Sequence, residues 1–250
     1  MKVYIGSAYG RDLPADHVNS VFRLCHYPGV MWRPEFNDAL MCRVRAKAMT
    51  RFLLDSDADV FLSIDDDIVF AADKALEICE QAMTHDIVAG QYVTRSRERC
   101  FPTTCQEDGI PVRYGDDNYE PVPVRWPATG FLAVHRRVFE KLIKRPDVVL
   151  CHPTEAWSFY APIWTPFIVD GPNGPIYLSE DYAFAERAKQ EGFQAYLNPS
   201  VRLLHLGQYP FKLEDQTFPP PPPQSMTMTR LSNGKYRIET AEIEEAVAAH

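Results

Sequence analysis

Hydrophobic residues recur along this chain with two periods, and the changes of period mark its elements. Residues 2–6 are a short apolar run of strand character. They pass into SAYGRDLPADH, where Ser, Gly, Asp and Pro predict a loop. From residue 37 to 54 the period becomes helical, with Leu40, Val44, Ala48 and Phe52 as a core stripe. Arg43, Lys47 and Arg51 form a basic stripe beside it, and Arg45 lies between the two. SDAD ends that helix, and VFLSI reads as a buried strand running into three consecutive aspartates, Asp65, Asp66 and Asp67. A second helix is predicted over residues 73–83, with Leu76, Cys79 and Met83 on one face and Asp73 as its cap or first-turn acid. A strand follows over residues 86–93. Strands alternating with helices predict an α/β domain with a mostly parallel sheet.

The second half is less regular. Residues 94–127 are rich in charge, proline and glycine, which fits short antiparallel strands or ordered loops rather than a helix. TGFLAVH (129–135) returns to strand character and RRVFEKLI (136–143) to helix. Residues 146–175 are again irregular and carry Trp157, Phe159, Tyr160, Trp164 and Phe167. These rings could form a stacking surface for a ligand or the core of a loop. SEDYAFAERAKQEG then predicts a helix closed by Gly192, followed by strands at 194–197 and 201–206. Residues 219–223 are an uninterrupted proline run, which favours extended polyproline II. The expected organisation is a catalytic body over 1–215, a proline-rich linker over 216–223 and a C-terminal extension over 224–250.

Composition narrows the function classes. Hydrophobic residues make up 46% and charged residues 24%, as in an ordinary globular protein with a sizeable core. The formal net charge of −8 argues against broad contact with nucleic acid, while leaving room for a local basic patch. No apolar run approaches the ~20 residues of a spanning helix, so a cytoplasmic location is the expectation. The six cysteines (Cys25, Cys42, Cys79, Cys100, Cys105 and Cys151) include no second close pair to complete a zinc site, and are read as reduced thiols.

The aspartate triplet carries the candidate chemistry. It ends an interior strand, and the carboxyl edge of an open α/β sheet is where ligands bind. In a strand-like register Asp65 and Asp67 face one side and Asp66 the other. Two carboxylates on one side can share a hard divalent cation. Ser179, Glu180 and Asp181 open the later helix, where acids complement the helix dipole. A carboxylate there can also act as a general base.

FLSIDDDIVF resembles the DxD segment of the GT-A superfamily of nucleotide-sugar-dependent glycosyltransferases, of the family 2-like kind. The resemblance extends over most of residues 1–210, through the Arg-bearing helix, TGFLAVHRRVFEKL, LSEDYAFAERAKQEGF and VRLLHLG. It implies a Rossmann-like α/β/α sandwich with a mostly parallel mixed central sheet. It implies a hexosyltransferase using a nucleoside-diphosphate sugar, a UDP-sugar foremost, with Mn²⁺ or Mg²⁺. Asp65, Asp67 and His205 would meet the metal, and Asp66 the sugar or ribose. Asp181 would be the base of an inverting transfer, with Glu180 beside it. Ser7, Tyr9 and Arg11 would cradle the base and ribose, Arg45 would lie near the nucleotide, and Gly130 would let the chain pass close to the donor sugar. The acceptor would be a carbohydrate or another hydroxyl-bearing molecule. The long proline-rich stretch between TGF and SED departs from the usual inverting pattern and keeps a retaining enzyme open. A nucleotidyltransferase is a further alternative, for which SAYGR is a poor phosphate loop. A non-catalytic sugar-binding module is the last.

Overall fold

A computed structural model of the chain describes residues 1–9, 13–36, 38–95, 112, 120–151, 160–171, 174–207, 212, 224–230 and 236–242. In chain order its elements begin β1 (Val3–Tyr9), α1 (Ala15–Leu24), β2 (Val30–Phe36), α2 (Met41–Asp55), β3 (Val60–Asp65), β4 (Ile68–Val69) and α3 (Ala72–His85). They continue with β5 (Ile87–Gln91), β6 (Val122–Val124), β7 (Phe131–His135), α4 (Arg136–Leu142), β8 (Phe167–Gly171), β9 (Gly174–Leu178) and α5 (Glu180–Gln190). The last are β10 (Ala195–Arg202), β11 (Leu204–His205), β12 (Gln224–Arg230) and β13 (Tyr236–Glu242).

Among the described residues the central sheet has seven strands in the order β2-β1-β3-β7-β5-β10-β6. Pairing is parallel for β1 with β2 and β3 and for β5 with β10. It is antiparallel for β7 with β3 and β5 and for β6 with β10. The sheet is therefore mixed, with β7 and β6 running against the other strands. Pro123 is tolerated in β6 because that strand is an edge, where no partner needs its missing N–H.

Alternation along the strands divides the core into two layers. Tyr4, Phe61, Leu132 and Val134 face α2, α4 and α5, meeting Met49, Phe52, Phe139 and Phe184. Val3, Ile5, Leu62, Phe131 and Ala133 face α1 and α3, meeting Val21, Leu24, Ile78 and Cys79. The result is an α/β sandwich with helices on both faces. Arg136 ties one corner: its guanidinium donates to the carbonyls of Phe52, Leu53, Ser56 and Ala58 at 2.7–3.3 Å. Those are the C-terminal carbonyls that α2 cannot satisfy internally and the link that follows them.

Several expectations need correction. Residues 13–36 carry α1 and β2, which the loop reading passed over. The buried side of α1 includes His17 and Ser20 beside Val21 and Leu24, so its apolar stripe is broken in the sequence. Leu40 stands before α2 and is exposed, while Val44, Ala48 and Phe52 are buried as expected. The two late strands are one strand, β10, with a register shift between Leu197 and Arg202, followed by the short β11. Residues 146–175 hold a hairpin, β8–β9. Trp164 is wholly buried and stacks on Phe184 at 5.1 Å, so it is core. Trp157 and Phe159 lie outside the described residues, as do Cys100, Cys105 and the proline run. Cys25, Cys42, Cys79 and Cys151 are free thiols. Gly192 closes α5 as expected, with φ +89° and its N–H on Lys189. Beyond the main sheet, β12 and β13 pair as an antiparallel hairpin. No described helix is long and apolar enough to cross a membrane.

Candidate functional site

The parallel pairing of β1 and β3 sets Ala8 beside Asp65, so both strands end at one rim. Strand β7 enters from that rim, because its antiparallel register puts Phe131 beside Ile64 and sends Asp65 N–H to the Gly130 carbonyl at 2.9 Å. The strand register stops at Asp65. Asp66 and Asp67 lie in a turn before β4, so the alternation expected of the triplet does not carry through it.

Each end of the triplet has its own partners. Arg45, on α2, is only 6% exposed and aims its guanidinium at three carboxylates. Nη2 donates to Asp65 Oδ1 at 2.9 Å, while Nη1 donates to Asp181 Oδ1 at 2.7 Å and Glu180 Oε1 at 3.2 Å. Burial opposes the Arg45 charge, but Asp65 and Asp181 outweigh it and hold the guanidinium above its ordinary value. This arginine lies beneath the acids and joins the triplet to the start of α5.

Asp67 meets a different set. Its Oδ2 lies 2.9 Å from Arg95 Nη1 and 3.4 Å from His205 Nε2. A two-residue antiparallel ladder brings the late histidine here, pairing His205 with Ile68, and Leu206 N–H extends it to the Asp67 carbonyl at 2.7 Å. Burial pushes the Asp67 carboxyl up, but His205 and Arg95 together leave it below its ordinary value. His205 Nδ1 lies 2.8 Å from the Val93 carbonyl, which requires a proton on Nδ1 and turns Nε2 toward Asp67. Nε2 meets that carboxylate through a proton of its own or through a cation. A carboxylate and an imidazole oriented by a carbonyl are groups of the kind that ligate divalent cations, but Arg95 lies on the same Asp67 oxygen. Asp65, turned to Arg45, does not join that pair. Among the described residues no group of three or more His, Cys, Asp or Glu is arranged to hold a metal ion.

Asp181 is held from two sides. Besides Arg45, the Thr129 hydroxyl donates to Oδ1 in a short contact, and Thr129 N–H donates to Oδ2 at 3.3 Å. Ser179 occupies the N-cap position of α5 without a side-chain capping bond, though its carbonyl accepts from Ala183 at 2.8 Å. Gly130 is required by crowding. A Cβ there would come 2.7 Å from Asp65 Oδ2 and closer still to the Tyr92 hydroxyl.

A cavity of about 450 Å³ opens over Arg45, Asp67 and Asp181, while His205, Thr129 and Gly130 lie off its wall. Its wall carries six carboxylates (Asp38, Asp65, Asp66, Asp67, Glu180 and Asp181) and two guanidiniums (Arg45 and Arg95). Asp38 is offset from outside by Arg43 at 2.6 Å and Lys47 at 2.9 Å. Two of the three basic residues of the α2 stripe therefore serve this acid, the third, Arg51, pairing with Glu35 at 2.7 Å, and Arg43 holds Asp38 well below the usual carboxylate range. Tyr9 reaches the cavity but is only 3% exposed, stacked on Phe36 at 5.4 Å. Its hydroxyl bonds His17 Nε2 at 2.6 Å, and His17 Nδ1 bonds the Ile68 carbonyl at 2.7 Å. Ser7 is fully buried within β1 and lies off the cavity wall, while Arg11 lies outside the described residues. Sequence reasoning missed Thr129, Arg95 and His17, each of which acts through a fold contact. A larger cavity, about 750 Å³, lies between α1 and the start of α3, and none of the sequence-predicted site residues lines it.

No protein-family model matches the chain, and no curated protein matches it in sequence. Solved structures do match. The crystal structure of A197 from STIV aligns over 100% of both chains, with a TM-score of 0.55 and 14% identity. That of GalNAc-T7 with UDP, GalNAc and Mn2+ aligns over 84% of this chain, with a TM-score of 0.50 and 12% identity. The likeness is one of fold. The matched region spans 44% of the GalNAc-T7 chain.

Proposed function

We propose that this chain is a GT-A type glycosyltransferase that moves a hexosyl group from a nucleoside-diphosphate sugar, a UDP-sugar foremost, to an acceptor hydroxyl. The carrying observation is a single cavity at the sheet's carboxyl rim where the aspartate triplet meets Glu180 and Asp181. The strand order and the likeness to GalNAc-T7 with UDP, GalNAc and Mn2+ support the same reading. Residues 1–215 would form the catalytic body, 216–223 a linker and 224–250 an extension.

Charge argues for a divalent cation. With Asp38 offset by Arg43 and Lys47, the other five carboxylates of the wall still outnumber its two guanidiniums and repel a diphosphate unless a cation offsets them. Asp67 and His205 would hold it, and when bound it would neutralise the leaving diphosphate. Asp66, on the cavity wall, is placed to accept from sugar or ribose hydroxyls.

Asp181 acts as the base. Its Oδ1 accepts from Arg45 and Thr129, while among the described residues Oδ2 accepts the Thr129 N–H alone, leaving one lone pair. That lone pair takes the acceptor proton as the acceptor oxygen bonds the anomeric carbon. The bond from that carbon to the diphosphate breaks on the opposite side, so the configuration inverts. Glu180 stays beside it through Arg45.

A D181N variant is expected to bind donor with nearly wild-type affinity in calorimetry while losing about 100-fold or more of transfer. Strong residual transfer would place the base elsewhere, and NMR of the product's anomeric proton distinguishes inversion from retention.

A further inference from the structure

We propose that Thr129 is the positioning residue that aims Asp181, selecting Oδ2 as the atom that receives the acceptor proton. The inference rests on the reading of Asp181 as base and adds the residue that orients it. Thr129 is wholly buried and contacts both carboxylate oxygens, with its hydroxyl on Oδ1 and its N–H on Oδ2. Two donors from one residue fix the plane of the carboxylate as well as its place. Arg45 alone cannot do this. Its Nη1 is shared between Asp181 and Glu180, and its Nη2 is committed to Asp65, so it restrains one oxygen only.

Thr129 is itself held by the sheet. The next residue, Gly130, accepts the Asp65 N–H, and β7 begins one residue later beside Ile64. Thr129 thus transmits the position of the β3 rim to the carboxylate of α5, so that the base and the aspartate triplet keep a fixed separation. With Oδ1 saturated by two donors, the acceptor proton has one destination. Freed from the hydroxyl, the carboxylate could turn about its Cβ–Cγ bond and present either oxygen.

The test compares T129V, which removes the hydroxyl at similar volume, with T129S, which keeps it. With UDP-sugar and Mn²⁺, T129V is expected to keep donor Kd and donor KM within about twofold. Its transfer kcat should fall about 10- to 100-fold, the range of one hydrogen bond to a charged group. T129S should recover kcat to within about threefold of wild type. A thermal melt of each variant establishes that it is folded at the assay temperature. Wild-type-like kcat in T129V, or a T129S as slow as T129V, overturns the role of Thr129 while leaving the glycosyltransferase reading intact. A wild-type protein that transfers sugar from no nucleotide-sugar overturns that reading, and the role of Thr129 with it.

Discussion

Arg45 shows how one buried side chain can decide the electrostatics of a site. A guanidinium at 6% exposure surrounded by Asp65, Glu180 and Asp181 is stable because each member is desolvated with its partner. Removing Arg45 leaves three partly buried carboxylates facing one another uncompensated, at a cost of about 3 kcal/mol. R45M is therefore expected to unfold at markedly lower urea concentration. R45K should fold but lose at least about tenfold in transfer, because an ammonium lacks the planar fork that reaches the triplet and α5 at once. A lysine variant with wild-type kcat would contradict that account. Gly130 is constrained in the same small space. G130A drives a methyl into Asp65 Oδ2 and the Tyr92 hydroxyl, and should cost about 1–3 kcal/mol of stability in denaturant titration.

At the scale of elements, the long periodic segments were legible from sequence and the short or compromised ones were not. α2, α3, α5, β3 and β7 have strong periods bounded by breakers, and they lie within a few residues of where the patterns place them. α1 escaped because its buried side spends two positions on His17 and Ser20. The triplet, the SED acids and His205 could be named from the sequence. Arg45 could be named too, though not its contacts with Asp65, Glu180 and Asp181, and Thr129 and Arg95 could not be, because they meet these acids across sequence separations that only the topology closes.

His17 carries a consequence for pH. Burial holds its imidazole below the ordinary value, although the Ile68 carbonyl and the aspartate triplet pull it up. The folded state therefore favours the neutral ring. Its contribution is complete above the unfolded value of about 6.5 and is lost as pH falls through the lower folded value. Between pH 7.5 and 5.5 the wild type should lose more stability than H17Q in urea unfolding. His135, also held low by burial, is present in both proteins and cancels in the difference. Equal slopes for the two proteins would show that His17 does not titrate in this window. On the other face of the sheet, R136A leaves the C-terminal carbonyls of α2 without their guanidinium donor and should cost about 2–3 kcal/mol.

Over the whole molecule, the fold gathers negative charge at one rim of the sheet and leaves it only partly offset. A domain built this way has a use for that charge when a cation and a polyanion arrive together. In the proposed reading, Asp67 and His205, joined by the β4–β11 ladder, are the pair that would hold the cation. The most direct measurement is a thermal-shift titration with UDP and UDP-sugars, with and without Mn²⁺, on wild type and D67A. Donor at about 100 times its Kd stabilises the folded state by about 2.7 kcal/mol, or roughly 5–10 °C for a chain of this size. The account predicts that shift for wild type in the presence of Mn²⁺, with loss of most of it on chelation and in D67A. A protein that shifts with no nucleotide, or that shifts equally without Mn²⁺ and in D67A, would contradict it.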